Sequence, residues 1–422
     1  MTAGPRRLTA PWVWPGAGAP IHGGAVLVGA DGRLAAIGPE AAVPAPPGVV
    51  TERLPGALLP GLVNAHTHLE LTGLDAHSAH PADFPAWIRQ LIALKAARSF
   101  DTVLAAARQG IRDCWAQGVT TVGDTGDSGA VIQALAELGG SGIAYHEVFG
   151  PDPAQCAAAL QAWVARLGEL ARFAGPRVRL GASPHAPYSV SGPLYAAAAR
   201  HARAAGLPLA VHLAESADES ALLESATGGF AEAWTRRGIP LPALPGRSPI
   251  AWLDQHGVLG HDTLCIHVVR AAAPELDLLA RRGVAIAHCP RSNRAHGHGE
   301  APLAAMLARG LRVGAGTDSV ASVSPLSLAR EAAAARALGG LTAEQGLQLV
   351  TLGAAAALGL EQEIGSLVPG KWGDLVAVRI PGAVDATKLA DTLFTAMHED
   401  VSLTVLAGRT VWREAEAGPR IP

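Results

Sequence analysis

The sequence has few cysteines and few lysines, and both shortages limit what the chain can be. The four cysteines form no Cys-x-x-Cys pair, so we expect free thiols in a reducing compartment rather than a disulfide framework. The net charge of −3 excludes the basic surface that nucleic-acid-binding proteins present. Residues 1–20 lack the apolar stretch of a signal peptide, and no apolar run reaches the roughly 18 residues of a membrane span. We therefore expect a cytoplasmic protein that binds neither nucleic acid nor membranes.

Length and composition indicate a packed protein with more than one structural unit. The 422 residues are 49% hydrophobic and 16% charged, which is typical of globular chains. Residues 1–56 and 361–422 both contain short β-like segments, and Asp31-Gly32 separates two apolar runs as a hairpin turn does. We predict that these two ends form one small β-sandwich domain.

The middle of the chain, residues 57–360, alternates strand-like and helix-like segments. The candidate strands are residues 57–66, 119–124, 142–149, 177–184, 207–213, 263–269, 284–289 and 311–317. Eight strands alternating with helices favour an α/β fold, a (β/α)8 TIM barrel. An open doubly wound sheet is the alternative, but no G-x-G-x-x-G follows the first strand.

Histidines and one aspartate stand at the ends of six candidate strands. His66 and His68 end the first strand, and side chains two apart on a strand point to the same side. The other strand ends carry His185, His212, His267, His288 and Asp318. One histidine in an apolar strand means little, but a barrel gathers the carboxyl ends of all its strands in one cleft.

This pattern predicts a catalytic metal site. We expect His66, His68, His212 and Asp318 to bind the metal and to leave one position open for water. Nitrogen and carboxylate ligands suit zinc, with iron or manganese as alternatives. His267 is either a further ligand or a hydrogen-bond partner of the water.

The motifs resemble those of the amidohydrolase superfamily, and within it the branch of aminohydrolases that act on nucleobases and nucleosides. The resemblance spans nearly the whole chain and rests on residues 66–70, 184–191, 212–215, 267, 288–293 and 316–319. Residues 184–191 resemble the S-adenosylhomocysteine/methylthioadenosine deaminases, and residues 66–70 with 288–293 resemble the aminodeoxyfutalosine deaminases still more. The resemblance implies a metal-activated hydroxide that attacks the amine-bearing carbon of an adenine-containing nucleoside derivative and releases ammonia. Among such compounds, aminodeoxyfutalosine is the single substrate that the resemblance favours most.

The shortage of lysine decides between two kinds of metal site in this superfamily. Other branches bridge two metals with a carboxylated lysine from the middle of the barrel. This chain has no lysine between Lys95 and Lys371. We therefore predict one divalent metal ion per chain, unless a glutamate replaces that lysine.

Catalytic roles follow for Glu215, His267 and Asp318. Asp318 would accept a proton from the water, and His267 would orient that water. Glu215 would protonate the ring nitrogen and then the leaving ammonia, which requires a pKa raised by a shielded site. The alternative for Glu215 is a solvated residue at the start of a helix.

Four residues are candidates for substrate contacts, and each has a structural alternative. His185 contacts the substrate by resemblance, or else is a structural histidine at a turn. Glu70 binds a ribose hydroxyl or holds His68. Trp87 stacks on a base or packs in the core, and Arg291 binds an anionic group or forms a surface ion pair.

Other functions and features stay open. The same site could displace chloride or an amine from a triazine-like N-heterocycle, because that reaction also adds hydroxide to an electron-poor carbon. In a non-catalytic metal-binding protein the strand-end carboxylates would be incidental. A second His-x-His, at His296 and His298, has Gly-rich surroundings that favour a mobile loop over a second metal site. The oligomeric state is open, with a homo-oligomer as one alternative.

Overall fold

Two eight-stranded sheets organise the computed structural model, which describes residues 4–75, 83–244, 246–381 and 383–415. The strands are β1 (Arg6–Val13), β2 (Ile21–Val28), β3 (Leu34–Pro39), β4 (Thr51–Arg53), β5 (Ala57–Pro60), β6 (Leu62–Thr67), β7 (Val119–Gly126), β8 (Gly142–Val148), β9 (Val178–Pro184), β10 (Leu209–Leu213), β11 (Thr263–His267), β12 (Ala285–His288), β13 (Arg312–Ala315), β14 (Leu375–Val378), β15 (Val401–Leu406) and β16 (Arg409–Arg413). The first five and the last three strands form one sheet, and β6 to β13 form the other.

Helices alternate with the strands of the second sheet. They are α1 (Phe84–Ala96), α2 (Phe100–Ala116), α3 (Ala130–Leu138), α4 (Cys156–Leu170), α5 (Gly192–Ala204), α6 (Ala217–Ser225), α7 (Gly228–Arg236), α8 (Pro249–Gln255), α9 (Ala273–Arg282), α10 (Pro290–Ala295), α11 (Leu303–Ala308), α12 (Leu328–Gly339), α13 (Ala343–Gln348), α14 (Leu352–Ala357) and α15 (Leu389–Ala396). In the part of the chain that the structure describes, none of them is both long and apolar enough to cross a membrane.

The second sheet is the predicted (β/α)8 barrel. Strands β6 to β13 pair in chain order, each parallel to the next. The two ends of the sheet meet where the carbonyl oxygen of His66 accepts the N–H groups of Thr317 (2.8 Å) and Asp318 (3.1 Å). This closure places the first and last predicted metal ligands next to each other.

The predicted strand over residues 57–66 is two strands that belong to different sheets. β5 pairs with β1 and β14 of the terminal sheet, whereas β6 begins the barrel. Gly61 separates them, packed so closely that a Cβ there would lie 2.3 Å from Oγ1 of Thr120. Both strands are buried, so one apolar run covers both. The terminal sheet therefore extends past the predicted boundary at residue 56.

The terminal sheet contributes to two apolar clusters, one that it shares with the barrel and one of its own. The barrel strands pack against the surrounding helices, and a second cluster joins barrel residues such as Val63 and Ile266 to Ala354 and Leu358. The strands of the terminal sheet share a separate cluster. The barrel thus forms a packed scaffold beneath its strand ends.

Candidate active site

A cavity of about 760 Å³ opens at the carboxyl ends of the barrel strands. Most of the residues predicted to form the site line it: His68, Glu70, Trp87, His185, His212, Glu215, His267 and Asp318. His66 is fully buried, and its ring centroid lies 4.8 Å from that of His68 and 5.0 Å from that of His212. The barrel therefore brings together nearly all of the predicted groups.

Hydrogen bonds at Nδ1 orient three of the clustered imidazoles. Their acceptors are the carbonyl oxygen of Thr125 for His68 (2.9 Å), the carbonyl oxygen of His185 for His212 (3.3 Å) and Oδ1 of Asn293 for His267 (2.9 Å). An imidazole that donates from Nδ1 keeps a lone pair on Nε2, which is the arrangement of metal-binding histidines. The protein thus fixes the rings in the form that a metal requires.

Asp318 is held between a hydroxyl group and two of these rings. Its Oδ2 accepts a hydrogen bond from Oγ of Ser292 at 2.5 Å. Its Oδ1 lies 3.5 Å from Nε2 of His68 and 3.7 Å from Nε2 of His66. Although burial opposes ionisation, these neighbouring imidazoles hold the pKa of Asp318 well below its usual range. The carboxylate is therefore charged at neutral pH.

The donor set fits a divalent metal ion. Ligand atoms of His66, His68 and Asp318 lie within 4.8 Å of one another, and so do those of His66, His212 and His267. Both ring nitrogens of His66 are buried without a hydrogen-bond partner, which is rare in proteins unless a bound group satisfies them. Burial lowers the pKa of His66 to about 4, so its ring is neutral and can bind a metal.

Comparison with known proteins places the chain in a family. Residues 57–411 match the amidohydrolase family. The chain belongs to this family. It is 33% identical over 417 residues to a 5-methylthioadenosine/S-adenosylhomocysteine deaminase of Nitratidesulfovibrio vulgaris, covering 93% of this chain and 88% of that protein. It is 32% identical over 379 residues to an aminodeoxyfutalosine deaminase of Deinococcus radiodurans, covering 86% and 87%.

A solved structure agrees with this assignment. The amidohydrolase chain superposes on an adenosine deaminase of Xanthomonas campestris, solved with bound zinc, with a TM-score of 0.81 and 26% identity. The match covers 96% of this chain and 92% of the other. The barrel and the terminal sheet are thus shared with a zinc-containing structure.

Glu215 of this amidohydrolase is presented by a tightly held turn after β10. Ala214 has a left-handed φ of +51°, and the buried carboxylate of Glu219 accepts the N–H groups of Ala214 (2.8 Å) and Glu215 (2.9 Å). Oγ of Ser216 accepts the N–H of Glu219 at 3.2 Å. Glu215 is 4% exposed, so the alternative of a solvated residue is wrong.

The ionisation of Glu215 differs from the expectation. Burial alone would raise its pKa, but His267 and His298 beside it lower the pKa of Glu215 to about 2. Nε2 of His267 lies 3.5 Å and Nε2 of His298 lies 3.4 Å from Oε1 of Glu215. Glu215 is therefore a carboxylate at neutral pH, and it must accept a proton before it can donate one.

Glu70 lies in a charged corner of the cavity. Its Oε1 is 2.9 Å from Nζ of Lys95, which also contacts Oδ1 of Asp127 at 2.7 Å. Ser128 donates a hydrogen bond to its other oxygen. The ring of His68 is held by Thr125 instead, so the structure does not show the alternative in which Glu70 holds His68.

His185 and Trp87 form part of the cavity wall. Nδ1 of His185 is 2.7 Å from Oγ of Ser189, and its Nε2 is 4.0 Å from Oε1 of Glu147. The indole of Trp87 packs on the rings of Phe84 and His296, with centroids 5.7 Å and 4.4 Å away. Both residues therefore line the cavity and also pack against protein.

Arg291 does not line this cavity. Its guanidinium contacts Oε1 of the fully buried Glu331 at 3.4 Å, and its backbone N–H donates to Oε2 at 3.0 Å. Of the two alternatives for Arg291, the structure shows the ion pair, and its partner on α12 is buried rather than at the surface. In the His-Cys-Pro-Arg-Ser-Asn segment, Arg291 thus has a structural partner in Glu331.

Several cavity residues were missed by the sequence reasoning. Glu147 is the clearest, because it stands near the end of β8 and the strand-end rule that selected His185 applies to it as well. Burial raises the pKa of Glu147 to about 8. Lys95 and Asp127 lie on a helix and a loop, where no local pattern marks them.

Proposed function

We propose that this amidohydrolase is a metal-dependent deaminase of an adenine-containing nucleoside derivative. The observation that carries the proposal is the convergence of imidazoles and Asp318 in a cavity that also contains the carboxylate of Glu215. The two deaminases described above, which are 33% and 32% identical to this chain, support the substrate class. Aminodeoxyfutalosine is the first substrate to test, since residues 66–70 and 288–293 resemble that group most.

We assign His66, His68, His212 and Asp318 to one divalent metal ion, zinc first and iron or manganese as alternatives. Such an ion lowers the pKa of a bound water to about 7 and so supplies hydroxide at neutral pH. Nε2 of His267 is placed to act as a further ligand or as a hydrogen-bond partner of the water. The absence of lysine from the middle of the barrel supports a single ion.

Asp318 and Glu215 divide the proton transfers in this proposal. Asp318 is charged and accepts a proton from the attacking water. Glu215 starts as a carboxylate, takes the other proton of the water and delivers it to a ring nitrogen of the base. The proton held by Asp318 passes to the departing amine. The overall reaction adds water, converts the amine-bearing carbon to a carbonyl and releases ammonia. General acid–base catalysis of this kind contributes roughly a hundredfold to ten-thousandfold.

The remaining predicted residues hold the substrate. We place the base beside His185 and Trp87, and a ribose hydroxyl at the charged corner of Glu70 and Lys95. A cavity of about 760 Å³ lies within the usual range for sites that bind small molecules. We place the activity in the cytoplasm, because the four cysteines are free thiols.

A screen for released ammonia tests the proposal. The purified protein is incubated with aminodeoxyfutalosine, methylthioadenosine, S-adenosylhomocysteine, adenosine, cytosine, guanine and aminotriazines, with chloride release followed for chlorotriazines. We expect ammonia from at least one adenine nucleoside and little from the other bases. Turnover confined to triazines, or no turnover with any of these compounds at full metal content, would overturn it.

A further inference from the structure

The second His-x-His motif is packed into the active site. His296 is 3% and His298 is 8% exposed, and their rings stack with centroids 5.1 Å apart. The N–H of His298 donates to the carbonyl oxygen of Asn293 at 2.9 Å, and the side chain of Asn293 orients His267. The backbone of the motif is thus connected, through Asn293, to the candidate metal ligands. The sequence had favoured a mobile loop here because of the neighbouring glycines.

His298 directs a buried nitrogen at Glu215. Its Nε2 has no well-formed hydrogen bond, and Oε1 of Glu215 lies 3.4 Å away. A buried N–H without a partner is costly, so a nearby carboxylate is its natural acceptor. Hydrogen bonds in catalytic sites are often long without substrate and shorten in the complex.

His298 differs from the other imidazole beside Glu215. His267 is 3.5 Å from the same oxygen, but it also belongs to a group of histidines that can bind a metal. His298 belongs to none of the metal-ligand groups formed by the described residues. Its nitrogen is therefore available to Glu215 alone.

Aromatic side chains of helix α1 pack against the histidine pair. The ring of Phe84 packs edge-on against His298 with centroids 4.6 Å apart, and Trp87 packs on His296 at 4.4 Å. Away from water a hydrogen bond to a charged group is stronger than at the surface. The packing also fixes the plane of the His298 ring.

We propose that His298 is a positioning residue for Glu215, whose Nε2–H holds the carboxylate in the orientation that transfers protons to and from the substrate. This role rests on the proposed deamination, because that reaction is what Glu215 would serve. The residue does not contact the reacting atoms itself. It acts by limiting the rotation of the Glu215 carboxylate.

Two substitutions separate this role from simple packing. His298→Phe keeps a ring against Phe84 and His296 but removes the N–H, whereas His298→Gln keeps a donor. We expect His298→Phe to lower kcat about tenfold to a hundredfold, as for loss of a hydrogen bond to a charged group, with KM little changed. His298→Gln should recover most of that loss, and the exposed His261→Gln should match the wild type. Wild-type kcat in His298→Phe, or equal losses in both His298 variants, would overturn the proposal.

A second measurement does not depend on turnover. In protein labelled with ¹⁵N-histidine, the Nε2–H signal of His298 is assigned by its loss in His298→Gln. We expect this signal to shift in Glu215→Gln, and an unchanged signal would overturn the proposal. The result is informative even if no tested compound is deaminated, so failure of the proposed function and failure of this contact can be told apart.

Discussion

The barrel has a cavity at each end, and the two cavities have similar volumes but different chemistry. The one at the carboxyl ends measures about 760 Å³ and the one at the amino ends about 790 Å³. At the amino end Arg203 contacts Asp262 at 2.8 Å, and Arg312 donates to three backbone carbonyl oxygens. At the carboxyl end both ring nitrogens of His66 are buried without a partner. The unpartnered ring of His66, rather than the size of a cavity, distinguishes the carboxyl end.

Backbone conformation also distinguishes the carboxyl end of the barrel. Six described residues other than glycine have a left-handed φ, and four of them stand at the carboxyl ends of barrel strands: Ala214, His267, Val268 and Asp318. Such conformations cost of order 1–3 kcal/mol each and persist where the surrounding structure enforces them. Here they follow the strands that carry Glu215, His267 and Asp318.

The largest effect is expected from removing a metal ligand at the carboxyl end. His66→Ala deletes the fully buried imidazole that is common to the group with His68 and Asp318 and the group with His212 and His267. We expect the metal content to fall sharply and ammonia release to fall with it. Elemental analysis and the ammonia assay on one preparation measure both. Wild-type metal content in the variant would show that His66 is not a ligand.

Glu215→Gln comes next, because it removes the proton carrier and keeps the metal site. We expect kcat to fall about a hundredfold to ten-thousandfold with the wild-type metal content retained. The assay is ammonia release at saturating substrate, with elemental analysis as the control. Full activity in this variant would remove Glu215 from the mechanism.

A smaller effect concerns the pH dependence of stability at the carboxyl end. His288 is fully buried with neither ring nitrogen bonded, and burial lowers its pKa from 6.5 to about 3. Because the pKa is lower in the folded than in the unfolded state, stability is retained above pH 6.5 and lost as the pH falls toward 3. Between pH 7 and pH 5 the loss amounts to about 2 kcal/mol.

Denaturant unfolding of the wild type and of His288→Gln at these two pH values measures that loss. The wild type should lose about 2 kcal/mol more than the variant on acidification. Equal losses would show that the pKa of His288 is not lowered in the folded protein.

The smallest effect on activity is expected at the amino end. Arg312→Met removes hydrogen bonds to the carbonyl oxygens of His261, Gly283 and Ala356. We expect the free energy of unfolding to fall by about 1–3 kcal/mol, with kcat and metal content unchanged. A large loss of kcat in a folded variant would contradict the assignment of catalysis to the carboxyl end and of stability alone to the amino end.

The sequence was sufficient for features that follow from strand periodicity and strand ends. The barrel and the strand-end positions of His66, His212, His267 and Asp318 are as predicted, because parallel strands end on one face of a barrel. The break at Gly61 was missed, since a continuous apolar run is equally compatible with one buried strand or with two buried strands in different sheets.

Features that depend on contacts between distant segments could not be predicted. Arg291 looked free to bind substrate because its partner, Glu331, lies 40 residues away. A solvated position was the alternative for Glu215, yet the buried carboxyl group of Glu219 holds the turn that carries Glu215. His298 lies in a Gly-rich segment, and only the fold shows that it lies against Glu215.

The most direct test of the central claim, a hydrolytic site with one metal, is a metal titration. Protein stripped by a chelator is titrated with zinc while ammonia release from its best adenine nucleoside substrate is followed. We predict that the stripped protein is inactive and that activity rises linearly and saturates at one equivalent of zinc per chain. Saturation only at two equivalents, or full activity without metal, would contradict this claim.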